Sequence, residues 1–301
     1  MVNLSFNFDL FNNYYYFYER LVVLLFSLVP TLMLVGFVLH VDRKSKEPAK
    51  NILICLLSGI LTISLASYFE SLVMPYLSSS IALTYIWAMI EELSKIAIFY
   101  LFIFDNKHFD DINDGIIYMM LIALSFAGLE NIMYAFSEST ISESISLALM
   151  RDLTTVPLHV ICGIVIGYFL SLGYFSKERN KKSSNIILAI ITSSFIHGTF
   201  NLLMGILGSL QINYSSTVQI LIFEAIPLLL IMIILFIIAA KTVNKAFSLN
   251  KYFISCIPYD EKYKYLMNKD EYQNSSIKKK RITLYEKTSY FKKTKEDDVN
   301  D

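Results

Sequence analysis

Long apolar stretches constrain the fold of this chain more than any other feature of its sequence. Each is about 20 residues long and nearly free of charge, the length that an α-helix needs to cross the hydrocarbon core of a bilayer. Seven such stretches occur, at 21–41, 52–70, 81–104, 116–136, 147–175, 186–207 and 218–240. We therefore predict an all-α membrane protein, a polytopic bundle of about seven transmembrane helices.

The basic residues between these stretches predict the orientation of the bundle. Lys and Arg favour the cytoplasmic side in short loops near helix ends. They concentrate after the first stretch (43–50), after the fifth (177–182) and beyond residue 240, whereas 71–80, 137–146 and 208–217 contain none. The N-terminus is therefore predicted outside and the C-terminus in the cytoplasm.

Three segments follow from this arrangement: an N-terminal interfacial segment (1–20), a transmembrane helical domain (21–240) and a cytoplasmic tail rich in Lys and Tyr (241–301). The first apolar stretch has no basic region before it, which argues against a cleaved signal peptide. The formal net charge is +0, and nothing in the composition suggests nucleic-acid binding. The protein is therefore predicted to contact the lipid bilayer.

Charged and polar residues inside the apolar stretches predict a functional site. Ionisable groups at bilayer depth are costly, usually face a protein interior or a water-filled cavity, and mark function. The third stretch carries Glu91, Glu92 and Lys95. The fourth to sixth stretches contribute Glu130, Asn131, Arg151, Asp152, His159, His197 and Asn201.

These residues are predicted to lie in one layer of the membrane. Glu91 and Lys95 are four residues apart, as are His197 and Asn201, so each pair shares a helix face. At 1.5 Å per residue from the outer end, Glu91 and His197 lie about 15 Å deep, His159 about 18 Å, and Glu130 and Asn201 about 9 Å. The predicted site therefore occupies the outer half of the bilayer.

This set of side chains can support hydrolysis by two routes. In the first, Glu92 is the general base with Glu91 as its partner, because adjacent carboxylates in apolar surroundings titrate as a coupled pair. His197 and Asn201 would then donate to the oxyanion, with His159 as a further acid. In the second, Glu92, His159 and His197 hold Zn²⁺, although the HExxH spacing is absent.

Charge balance gives the remaining polar residues a supporting role. Three carboxylates, Glu91, Glu92 and Glu130, accompany only two fixed cations, Lys95 and Arg151. A shared proton, a charged His or a metal ion would complete the balance. The residues predicted to hold charge and orientation are Lys95, Glu130, Asn131 and Arg151, and Arg151 has Asp152 beside it as a candidate interfacial partner.

In order along the chain, these residues resemble a known family. The sequence has Glu91-Glu92-x-x-Lys95, Phe126-x-x-x-Glu130-Asn131, Arg151 with Pro157-x-His159, and His197-x-x-x-Asn201. This series, over about 81–205, resembles the PrsW family of intramembrane proteases, which belongs to a superfamily with the CAAX prenyl endopeptidases and bacteriocin-immunity membrane proteases. The resemblance implies a glutamate-dependent or metal-dependent peptidase of the bacterial plasma membrane. It also implies a single-pass membrane substrate, an anti-sigma factor cut at its extracytoplasmic side.

Other classes of function remain as alternatives. An ion-coupled transporter also buries Glu, Lys and His near the midplane, but the paired repeats typical of many transporters are not visible. A seven-helix receptor is suggested by span number alone. A catalytically inactive scaffold or immunity factor would keep the fold without the chemistry, and the intact Glu91, Glu92 and His197 argue against it.

Overall fold

The computed structural model describes residues 14–42, 47–76, 81–106, 108–176, 179–211 and 226–255. In these ranges the chain forms eight α-helices and no β-strand. They are α1 (Tyr14–Val41), α2 (Ala49–Val73), α3 (Ile81–Phe102), α4 (Ile112–Ser137), α5 (Ile141–Leu153), α6 (Thr155–Tyr174), α7 (Arg179–Gln211) and α8 (Ile226–Ser255). The predicted all-α fold is confirmed.

Within the described ranges, five helical segments are long and apolar enough to cross a membrane. They are Phe17–His40, Ala49–Tyr76, Ile112–Ser137, Ile141–Tyr174 and Asn180–Leu207. Helix α3 has 22 residues and includes the charged Glu91, Glu92 and Lys95. Large apolar side chains such as Met33 and Phe37 are exposed, as expected for helices that face lipid. The chain is thus an all-α membrane protein, and the number of spans and their orientation stay predictions.

The predicted stretch 147–175 consists of two helices. Helix α5 begins earlier, inside the predicted outer loop 137–146, because Thr140 and Glu143 form a reciprocal capping box. It ends at Leu153, and Thr154 has non-helical backbone angles (φ −125°, ψ −69°). Pro157 has no N–H to donate to the carbonyl of Leu153, so a continuous helix would lose a bond there. Arg151 and His159 therefore lie on separate helices.

Helices α4 and α6 pack closely at the centre of the bundle. A Cβ atom on Gly167 of α6 would lie 2.4 Å from the carbonyl oxygen of Gly115 on α4, and one on Gly163 would lie 2.9 Å from the carbonyl oxygen of Met119. Small residues allow helix backbones to approach closely within membranes. This approach fixes α6, and with it His159, against α4, which carries Glu130.

The first and last described helices extend beyond the predicted spans. Helix α1 begins at Tyr14, within the predicted interfacial segment 1–20. Helix α8 continues to Ser255, so the beginning of the predicted tail is helical. Residues 1–13, 212–225 and 256–301 lie outside the described residues, including the start of the predicted last span and most of the tail.

Candidate active site

Five helices bring seven of the predicted site residues into one cluster. The contributors are Glu91, Glu92 and Lys95 from α3, Glu130 from α4, Arg151 from α5, His159 from α6 and His197 from α7. Glu92, Lys95 and His159 are fully buried, and His197 is 1% exposed. Residues far apart in sequence therefore form one enclosed cluster of ionisable side chains.

Glu92 lies at the centre of the cluster. Its Oε1 atom is 2.8 Å from Nζ of Lys95 and 2.7 Å from Nδ1 of His197. An ionised carboxylate only accepts hydrogen bonds, so Nδ1 of His197 is the donor. In the neutral imidazole this leaves Nε2 of His197 with a free lone pair. Nε2 lies 3.8 Å from Oε2 of Glu91.

A second chain of contacts runs from Lys95 through His159 to Glu130. Nζ of Lys95 lies 3.0 Å from Nδ1 of His159, and Nε2 of the same ring lies 3.1 Å from Oε2 of Glu130. An ammonium only donates, so Nδ1 of His159 accepts and Nε2–H donates to Glu130. The two neighbours thus fix both the tautomer and the orientation of the His159 ring.

Arg151 completes the cluster on its Glu130 side. Its Nη2 atom donates to Oε2 of Glu130 at 2.7 Å, and its guanidinium carbon lies 4.1 Å from the centre of the Tyr134 ring. Arg151 forms no ion pair with the adjacent Asp152, so that predicted pairing is wrong. Consecutive helical residues do not face each other, which explains the difference.

Glu91 contributes an unpartnered oxygen. Its Oε2 atom is buried, has no hydrogen-bond partner among the described residues, and lies 4.0 Å from Nζ of Lys95. Oε2 of Glu92 is likewise buried and has no hydrogen-bond partner among them. Two free carboxylate oxygens inside a protein are costly, so these atoms are available for a ligand, a water molecule or a proton.

The two histidines contact each other, and Phe126 packs against one of them. The rings of His159 and His197 lie edge to face, 4.9 Å apart at 88°. Phe126 packs 5.2 Å from His159, and its ring lies 4.4 Å below the ammonium of Lys95. These contacts place aromatic carbon beside Lys95 and His159, which lowers the local polarity and strengthens their electrostatic interactions.

The donor atoms fit a metal ion. Glu91, Glu92, His159 and His197 each offer one ligand atom, and these atoms lie within 4.8 Å of one another. Carboxylate oxygen and imidazole nitrogen are typical zinc ligands. Two of the donors are carboxylate oxygens without a competing hydrogen bond among the described residues, Oε2 of Glu91 and Oε2 of Glu92. The hydrogen bond from His159 to Glu130 is of the kind that orients metal-binding histidines.

Two predicted site residues form no hydrogen bond or ion pair with the cluster in the part of the chain that the structure describes. Asn201 is partly exposed on α7 and, within the described part of the chain, forms no hydrogen bond with the cluster. Asn131 instead donates to Oδ1 of Asp152 at 3.1 Å and to the carbonyl oxygen of Ser27 at 3.3 Å. It therefore connects α4 with α5 and α1.

Sequence reasoning gave Tyr134 no role, yet its ring supports the Arg151 guanidinium. Tyr134 follows Glu130 by four residues, and that spacing places both on one face of α4. The same periodicity used for the other motifs could have found it.

Comparison with known proteins places the chain in a family. A family model described as PrsW family intramembrane metalloprotease matches residues 47–239. The chain belongs to the PrsW family of intramembrane proteases. All seven residues of the cluster lie inside the matched range. A PrsW-type protease is a peptidase, and neither the transporter nor the receptor interpretation is favoured.

Individual PrsW proteins show similarity over most of their length. Protease PrsW of Clostridioides difficile (strain 630) is 28% identical over 191 residues, which is 62% of this chain and 80% of that protein. Protease PrsW of Oceanobacillus iheyensis is 30% identical over 187 residues, 61% of this chain and 83% of that protein. Protease PrsW of Bacillus subtilis (strain 168) is 29% identical over 120 residues, 40% and 52% of the two chains. No solved structure gives a significant match.

Replacing Glu130 by Gln should lower proteolytic activity about 10- to 100-fold, the usual effect of removing a carboxylate that orients an active-site histidine. The amide keeps the size of the side chain but loses the charge that Arg151 and His159 contact. The measurement is the rate at which membrane-substrate fragments are released in cells. Glu138→Gln, beyond the end of α4, is the matched control, and full activity of Glu130→Gln would contradict the role of Glu130 in orienting His159.

Proposed function

We propose that this PrsW-type protease is a zinc enzyme in which Glu92, His159 and His197 hold the metal and Glu91 is the general base. The observation that carries the proposal is the pair of buried, unpartnered oxygens of Glu91 and Glu92 beside the two imidazoles. The family description as a metalloprotease supports the same choice. Three protein ligands would leave one position for water, the usual arrangement of a catalytic zinc site.

The hydrogen bonds support different roles for the two adjacent glutamates. Glu92 already accepts from an ammonium and an imidazole, whereas Oε2 of Glu91 accepts no hydrogen bond. Glu91 is therefore the carboxylate available to take a proton from water. This keeps Glu92 as a ligand, as in the zinc route expected from the sequence. It differs from the glutamate-dependent route, where Glu92 was the base and Glu91 its partner.

The residues around the reacting peptide would act in successive steps of the hydrolysis. When bound, zinc supplies a nucleophilic water and polarises the scissile carbonyl. Glu91 accepts the proton of the attacking water and delivers it to the leaving nitrogen. Glu130 keeps His159 in the tautomer whose Nδ1 faces the cluster, and Arg151 holds Glu130 in place.

The enclosed position of the cluster indicates the class of substrate. Four of the five helices that carry it, α4 to α7, lie in segments long and apolar enough to span a bilayer, so the scissile bond would reach the cluster within the membrane. A single-pass membrane protein can deliver such a bond if its helix locally unwinds, which polar groups in the site would assist. We therefore propose a single-pass substrate in the bacterial plasma membrane, with an anti-sigma factor as the candidate type, cut in the outer half of the bilayer.

Removing bound metal tests the zinc proposal. The protein, purified in lipid nanodiscs without added metal, should contain about one zinc ion per chain. A strong chelator should abolish proteolysis, and zinc should restore it, because the attacking water depends on the ion. Elemental analysis and cleavage assays on the same samples provide the measurement.

The substrate for these assays comes from quantitative membrane proteomics, which identifies proteins that lose their outer domain only when the active chain is expressed. Full activity in samples shown to lack metal would contradict the zinc proposal and favour the glutamate-dependent route.

A further inference from the structure

Lys95 lies among the atoms that the proposed metal requires. Its side chain is fully buried, and Nζ lies 2.8 Å from Oε1 of Glu92, 3.0 Å from Nδ1 of His159 and 4.0 Å from Oε2 of Glu91. These three residues are among the four that could hold a metal ion. An ammonium group thus occupies the space between the candidate ligands.

We propose that Lys95 is a built-in competitor of the metal, which binds the ligand set when no ion is present and is displaced when the ion enters. This inference rests on the zinc centre proposed above. It assigns Lys95 a specific role, the control of metal affinity, beyond the general charge balance expected from the sequence.

The hydrogen bond from Lys95 to His159 must break before a metal ion can bind His159. A metal ion binds the lone pair of a neutral imidazole nitrogen. Nε2–H of His159 donates to Glu130, so Nδ1 carries the only lone pair, and the ammonium of Lys95 donates to it. His159 cannot bind a metal through Nδ1 while this hydrogen bond persists.

Electrostatic repulsion between the metal ion and the Lys95 ammonium also favours displacement of the lysine. A divalent cation and an ammonium between the same ligands would lie within a few ångströms of each other, and like charges repel strongly where water is excluded. Lys95 has an alternative contact, because its ammonium lies 4.4 Å from the centre of the Phe126 ring. Movement toward this ring would release Glu92 and His159 while keeping a favourable cation–π interaction.

The charges of the cluster explain why the metal-free protein needs this lysine. Three carboxylates, Glu91, Glu92 and Glu130, lie near two fixed cations, Lys95 and Arg151, which leaves a net charge of 2 − 3 = −1 with neutral histidines. Without Lys95 the buried carboxylates would repel one another, and the ligands would separate. Lys95 therefore keeps the ligands together until a metal replaces it.

Replacing Lys95 by Met separates this role from that of an ordinary ion pair. Met has similar length and good helix propensity but no charge. In nanodiscs with chelator, Lys95→Met should unfold at a lower temperature than the unmodified protein. Zinc should then raise its unfolding temperature by more than it raises that of the unmodified protein, and its zinc affinity, measured against a chromophoric chelator, should be at least about tenfold tighter. Lys245→Met, on α8, is the matched control.

The outcomes distinguish failure of this inference from failure of the zinc centre. If the unmodified protein binds zinc and Lys95→Met binds it equally or less tightly, Lys95 is not a competitor, and the zinc centre stands. If neither protein binds zinc, both proposals fail. Should Lys95→Met unfold without metal, the affinity is measured on protein purified with zinc, and Lys95→Gln, which keeps a neutral donor, should show the same tighter binding.

Discussion

Replacing Glu92 by Gln should reduce proteolysis on the order of 1,000-fold or more while leaving expression and membrane insertion intact. Oε1 of Glu92 contacts Lys95 and His197, and its Oε2 is one of the two free buried oxygens. The amide has nearly the same shape but loses the negative charge on which both contacts and the proposed ligand role depend. Insertion depends on the apolar spans, which the substitution does not alter.

Quantitative membrane proteomics measures this effect. Cells expressing the unmodified chain should contain single-pass proteins that lack their outer domains, and these fragments should be missing with Glu92→Gln. Glu138→Gln, outside the cluster, is the matched control and should behave as the unmodified chain. Fragments that persist unchanged in Glu92→Gln would remove Glu92 from the chemistry.

Replacing His197 by Gln should have an effect of similar size and should also remove the bound metal. His197 donates from Nδ1 to Glu92, and its Nε2 faces Glu91 with a free lone pair. Glutamine can donate a hydrogen bond to Glu92 but offers no imidazole nitrogen to a metal. Cleavage and zinc content should therefore fall together, as expected when a residue binds the ion that supplies the nucleophile.

The matched control is His40→Gln, near the end of α1 and exposed to the surroundings. It should retain both activity and zinc. If His197→Gln lost activity but kept its full zinc content, His197 would not be a ligand, and the oxyanion role expected from the sequence would become the better explanation. Measuring zinc and cleavage on one preparation of each variant separates the two roles.

Much of the candidate site could be found by reading the sequence. The cost of burying charge in a membrane singles out Glu91, Glu92 and Lys95 without any structure. Helical spacing and depth then associate them with Glu130, His159 and His197, and the structure brings all six residues together in the cluster. Asn201 was grouped by the same rule, and among the described residues it forms no hydrogen bond with the cluster, so its role stays a prediction.

The sequence alone determined the all-α membrane fold and the order of the motifs, since apolar length and the cost of intramembrane charge act locally along the chain. Only the tertiary structure decided which charges pair: Arg151 with Glu130 rather than Asp152, and Lys95 with His159 as well as Glu92. Pairing depends on how each helix is rotated about its axis. That rotation is set by contacts between distant residues, including the close approach of Gly115 and Gly167, and by the break between α5 and α6.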